Sequence, residues 1–114
     1  MPLAMGMVKW TPEAMKHLID EGPLARVEYF RKWAKEMGGA LRDYYFAEAS
    51  DFDALAIVEF PAEMRADPAR CMAAWAANWS SGYAESLRMV WLATPEAFAE
   101  ALKGRITVVP PGSE

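Results

Sequence analysis

The stretch Asp53-Ala54-Leu55-Ala56-Ile57-Val58-Glu59-Phe60-Pro61 decides the fold. Successive side chains of a strand point to opposite faces, so Ala54, Ala56, Val58 and Phe60 share one face, and Asp53, Leu55, Ile57 and Glu59 share the other. The first set is wholly apolar and is expected to lie under helices. The second is still half apolar. Pro61 closes the strand, since it brings no N–H to a ladder. Upstream, Leu41 to Ala47 carries the aromatics of a second strand-like run. Glu48-Ala49-Ser50-Asp51 between the two runs is small and polar enough for a hairpin connection, so the two strands are expected to pair antiparallel.

Working outward, Met5 to Trp10 is a short apolar run, read as the first strand. Thr11-Pro12-Glu13-Ala14 then starts a helix with a hydroxyl cap, a proline where no N–H is needed, and an acid at the positive end of the dipole. That helix is interrupted at Gly22-Pro23. It resumes with an apolar stripe of Leu24, Val27, Phe30, Ala34 and Met37, and stops at Gly38-Gly39. Asp67-Pro68 repeats the cap-plus-proline signal ahead of a second helix, where Cys71, Trp75 and Trp79 stand at i, i+4 and i+8, ending at Ser80-Ser81-Gly82. Glu85 to Leu92 reads as a fourth strand, and Thr94-Pro95-Glu96-Ala97 starts a last helix that runs to Gly104. Ile106 to Val109 reads as a short edge strand cut off by Pro110-Pro111. The order β-α-β-β-α-β with a terminal helix is the ferredoxin-like split βαβ arrangement, an α+β fold with an antiparallel sheet and helices on one face. The bare face would then expose Leu55 and Ile57, together with Leu87, Met89 and Trp91, a larger patch than monomers tolerate. A second copy of the same sheet is the economical cover.

Composition narrows the function classes. The 114 residues fit one domain, 1–114. With 54% apolar and 25% charged types the chain has the means to fold. Twelve Lys+Arg against 16 Asp+Glu give a formal charge of -4, which argues against a nucleic-acid partner. The single Cys71 closes no disulfide within the chain, Met1 to Trp10 lacks the build of a secretory signal, and no apolar run reaches the roughly 20 residues that cross a bilayer. A cytoplasmic protein without a membrane partner is the expectation.

The run Gly38-Gly39-x-Leu41-x-Asp43-x-Tyr45, followed by Ser50-Asp51-Phe52-Asp53 and Ala56-Ile57-Val58-Glu59-Phe60-Pro61, resembles the GYD domain family. Thr11, Arg26, Ser81-Gly82 and Leu87-Arg88 extend the resemblance over about residues 5 to 102. At the name-giving turn this chain has Ser50-Asp51-Phe52-Asp53 and keeps only Asp53. The resemblance implies a ferredoxin-like domain pairing as a dimeric α/β barrel, in a family without an established general activity. Its wider fold relatives include cofactor-free monooxygenases, isomerases and haem enzymes, so the fold selects no chemistry.

The candidate chemistry is sparse. Histidine is the residue type suited to acid/base work near neutral pH, and His17, the one histidine, follows Glu13 by four residues, which makes it a candidate acid/base; the plainer reading is a solvated helix residue. Cys71 lies on an apolar stripe and reads as a small core hydrophobe. Glu48, Asp51 and Asp53 lack the spacing and glycine of a calcium loop, and Asp53 is expected to fix its hairpin by bonding turn amides. Glu59, on the face to be covered, needs Arg42 or Arg88 as a partner, or else is a second acid/base candidate. Five tryptophans and eight methionines read first as packing. One histidine and one cysteine offer too few ligands for haem or a structural metal, so no cofactor or metal is expected. The leading expectation is a homodimer binding a small organic molecule in a cleft lined by Tyr45, Asp53, Glu59 and Arg88, with His17 nearby. A cofactor-independent enzyme abstracting a proton, and a non-catalytic assembly module, are the alternatives.

Overall fold

The computed structural model describes residues 2–80, 82 and 84–104. Its elements are β1 (Leu3–Trp10), α1 (Pro12–Glu21), α2 (Pro23–Glu36), β2 (Ala40–Phe46), β3 (Ala54–Glu59), α3 (Ala62–Ala66), α4 (Pro68–Ser80), β4 (Ala84–Leu92) and α5 (Pro95–Lys103). The expected edge strand Ile106–Val109 lies outside the described residues. The helix starts form as their sequences require. Thr11 Oγ1 accepts from the Ala14 N–H at 3.2 Å, Asp67 Oδ1 from the Arg70 N–H at 3.1 Å, and Thr94 Oγ1 from the Ala97 N–H at 3.0 Å. Gly22, at φ 94°, ends α1 and hands the chain to Pro23 at the start of α2, a backbone angle that a side chain would resist. The short helix α3 between Pro61 and Asp67 was not anticipated from sequence. It brings Met64 into the core.

The strands form one antiparallel sheet in the order β2-β3-β1-β4, the ferredoxin-like order. Helices α1 to α4 lie on one side of it. Ala4, Ala56, Val58 and Phe60 of the sheet pack with Trp33 and Ala34 of α2, Met64 of α3 and Ala74 of α4, and a second cluster joins Trp10 and Ala54 to Ala14 of α1. The β3 faces are those read from the alternation. Two other assignments need correction. Leu87, Met89 and Trp91 pair with Val8, Gly6 and Ala4 of β1, so they point to the helix side, and Met89 and Trp91 pack on the core there. A strand's facing is fixed by its neighbour's register, and a one-residue slip reverses it. On α2, Leu24 is 81% exposed; the buried row runs through Arg26, Trp33 and Ala34.

A bulge in β2 positions the polar end of the sheet. Leu41 pairs with Val58 and Asp43 with Ile57, which leaves Arg42 as the extra residue. Just before it the two backbones come very close: a Cβ at Gly39 would overlap the Glu59 carbonyl oxygen and press on its carbonyl carbon at 3.1 Å. Only glycine fits there.

Candidate functional site

The bare sheet face carries Leu3, Met5 and Met7 of β1, Leu55 and Ile57 of β3, and Val90 and Leu92 of β4, with charged and hydroxyl groups toward its edges. Three expected site residues share this face. Tyr45 pairs with Leu55, Leu55 with Met7, and Met7 with Arg88, so Tyr45 and Arg88 end one row across the sheet. Three strand spacings separate their backbones, about 14 Å. Glu59 lies four residues along β3 from Leu55, about 13 Å away. Its carboxylate is held by the guanidinium of Arg42, released toward it by the bulge. Of the two partners foreseen for Glu59, the structure selects Arg42.

Asp53 and His17 lie elsewhere. The β1–β3 ladder ends at Val8 opposite Ala54, and Asp53 carries it one step further: its N–H donates to the Val8 carbonyl at 2.8 Å, and its Oδ2 accepts from the Trp10 N–H at 2.9 Å. Its carboxylate therefore ties β3 to β1, where a bond to its own turn had been expected. The reason is the register shift between Lys9 and Trp10 on the β4 side, where the end of β1 leaves the regular ladder. His17 sits on α1, in a shallow recess lined by Pro12, Glu13, Lys16 and Asp20, on the helix layer and away from the bare face. Within one chain, then, Tyr45, Glu59 and Arg88 share the bare face, while Asp53 lies at the end of the β1–β3 ladder and His17 on the helix layer.

Sequence reasoning missed a second polar centre inside the helix-side core. Arg26 of α2 is buried, with its guanidinium carbon 5.8 Å from the Trp10 ring centre and 5.9 Å from that of Tyr29. Tyr44 of β2 lies close enough to feel its charge. Burial pushes the Tyr44 phenol up to about 12, against a smaller lowering by Arg26, so at neutral pH it is a protonated donor and no base. Around them runs a chain of ring contacts: Trp10 to Phe46 at 6.0 Å, Phe46 to Tyr44 at 5.3 Å, Tyr44 to Phe30 at 5.6 Å and Phe30 to Trp33 at 5.0 Å. The signal was present in the spacing. Arg26, Phe30, Trp33 and Ala34 stand at i, i+4, i+7 and i+8, which marks a buried helix face with a cation in it. The competing Leu24 stripe concealed it.

Among the described residues no group of three or more His, Cys, Asp and Glu side chains is placed to hold a metal ion. No described helix is long and apolar enough to cross a membrane. Cys71 is half-buried and packs against the core.

Comparison with known proteins gives little by way of function. No curated protein matches the chain. A crystal structure of an uncharacterized NIPSNAP domain protein from Burkholderia xenovorans is similar at 17% identity and a TM-score of 0.44, over 82% of this chain and 94% of that one. The profile of the GYD domain matches residues 5–102, the span from the first strand to the last helix, and the chain belongs to the GYD domain family.

Proposed function

We propose that this GYD domain acts as a homodimer closed through its bare sheet face, and that it binds a small organic molecule at the edge of that interface. The observation that carries the reading is the chemistry of the face. Its middle is apolar on β1, β3 and β4, while Tyr45, Asp43 and Arg88 stand on the two edge strands. Sheets that remain bare are normally polar on that side. Two copies face to face would bury the apolar middle and leave a cleft along each edge. There the apolar body of a ligand meets Met7 and Leu55 side chains, and a polar head finds the Arg88 guanidinium or the Tyr45 hydroxyl. A site with an apolar wall and few converging polar groups is the usual form of a small-molecule pocket.

Two measurements test this. Light scattering of the parent over a wide dilution range should return twice the chain mass, and Ile57→Lys should return the chain mass. A parent that stays monomeric refutes the dimer. Native mass spectrometry of freshly purified protein should show a small-molecule adduct that is lost in Arg88→Ala. Bare protein, or an adduct indifferent to both Arg88→Ala and Tyr45→Phe, refutes the ligand site.

A further inference from the structure

The bare face carries opposite charges on its two rims. Arg88 stands on β4, and Asp43, with the Tyr45 hydroxyl, stands on β2, the other edge strand. Both charged side chains are exposed, and among the described residues neither makes an ion pair. The cations beside Asp43 are already matched: Arg31 and Arg42 line a recess of about 220 Å³ next to it, and they pair with Glu28 and Glu59. Within one chain the two rims are too far apart to hold one small molecule, because Tyr45 and Arg88 end a row about 14 Å long.

A second copy can cover this face in two ways. The middle of the face holds two rows, one of Asp43, Ile57, Met5 and Val90, the other of Tyr45, Leu55, Met7 and Arg88. A two-fold axis across the strands lays each edge strand over its own counterpart. Centred on the first row it sets Asp43 against Asp43, and centred on the second it sets Arg88 against Arg88, like charges that oppose association. A two-fold axis along the strands reverses the strand order and keeps the rows, so β4 of one copy lies over β2 of the other. Arg88 then faces the second copy's Tyr45 across about 10 Å, the usual spacing of stacked sheets, with the second copy's Asp43 about 7 Å further along the strand. The long arginine side chain spans such a gap, and the same meeting of cation and acid occurs at both edges of the dimer.

We propose that the homodimer of the preceding reading, on which this inference rests, has its two-fold axis along the strands, so that each edge cleft is shared: Arg88 comes from one copy, and Tyr45 and Asp43 come from the other. The site is then incomplete in a single chain, and a molecule held by Arg88 lies against the second copy's Tyr45. Charge reversal tests the arrangement through the dimer dissociation constant. Arg88→Asp and Asp43→Arg should each weaken dimerisation about tenfold or more, and the double variant carrying both should return to within about threefold of the parent, because each new acid then faces a new cation. Net charge alone would move the two single variants in opposite directions, since one makes the chain more acidic and the other less. Both positions are exposed, and Arg88→Glu with Asp43→Lys serves as a second pair. Single variants that dimerise like the parent, or a double variant no tighter than the singles, overturn the shared cleft and leave the dimer standing. A parent that is monomeric at every concentration overturns both.

Discussion

Replacing Asp53 by alanine separates a structural carboxylate from a ligand-binding one. Its Oδ2 holds the Trp10 N–H at 2.9 Å, and its own N–H donates to Val8 at 2.8 Å, so the side chain continues a ladder that the backbone has abandoned. In Asp53→Ala the backbone bond survives and the charge-assisted one is lost. Bonds of that kind contribute about 1.5–3 kcal/mol, and the half-buried donor is left without an acceptor. A loss of about 2 kcal/mol is therefore expected. For a chain of this size that corresponds to a melting point lowered by roughly 6–12 °C. Asp53→Asn keeps an oxygen at the same place without the charge and should recover about half the loss. Urea unfolding followed by tryptophan fluorescence measures both variants, with the midpoint moving at constant slope if only stability changes. An Asp53→Ala protein that melts with the parent would refute the argument. If the same protein had also lost its small-molecule adduct, Asp53 would belong to the ligand site after all.

Further outcomes follow from other contacts. Gly39→Ala should destabilise by about 2–3 kcal/mol, the order of an overpacked site, because the clash is with the Glu59 backbone. Gly22→Ala, with open space around it but at φ 94° and ψ 152°, a region essentially reserved to glycine, should lose about 1–3 kcal/mol from backbone strain alone, and a Gly39→Ala protein that melts with the parent would refute the close approach. The phenol of Tyr44 is raised to about 12, so the stability it confers is fully present below pH 10, the unfolded value, and is lost as pH rises toward 12. Tyr44→Phe should lack that alkaline decline, and a parent and variant with parallel pH–stability curves would show that Tyr44 is not buried. Glu59→Gln should lower monomer stability by less than about 1 kcal/mol, since Arg42 is 58% exposed, yet weaken the dimer, where the guanidinium would lose its partner away from water; urea melts and dilution light scattering read the two effects separately.

Much of this fold was legible because local chemistry and long-range packing agree. The three hydroxyl or carboxylate caps before prolines, at Thr11, Asp67 and Thr94, start helices where the sequence says they must. The alternation in β3 states its two faces without help from any neighbour. The facing of β4 was not legible in the same way. Both of its alternating sets contain large apolar residues, Leu87, Met89 and Trp91 against Val90 and Leu92, so only the pairing with β1 chooses between them. The candidate site was less legible still. Tyr45, Glu59 and Arg88 come from three strands, and their sharing of one face depends on β2 carrying a bulge at Arg42, which no local pattern announces. Arg26 was hidden for a different reason: Phe30, Ala34 and Met37 of the apolar stripe do pack on the core, but at its N-terminal end Leu24 stays exposed and the buried position is taken by Arg26, a cation that an apolar count passes over.

The state of each charge on the bare face bears on what could cover it. Covering the face would take Glu59 from water, and an isolated carboxylate there would oppose association by several kcal/mol. That cost is already offset within one chain, because Arg42 meets Glu59 before any second copy arrives. Lys9 reaches the Ser50 carbonyl at 3.3 Å and is likewise spent within the chain. Arg88 and Asp43 differ. Among the described residues neither makes an ion pair, both are exposed, and their strands are the two edges of the sheet. A face-to-face partner could cover Met7 and Leu55 at little polar cost, but a guanidinium at the rim keeps its full need for an acceptor. On the ligand reading proposed above, an anionic or carbonyl group lying along that rim would meet the Arg88 guanidinium, and a donor group along the opposite rim would meet the Asp43 carboxylate.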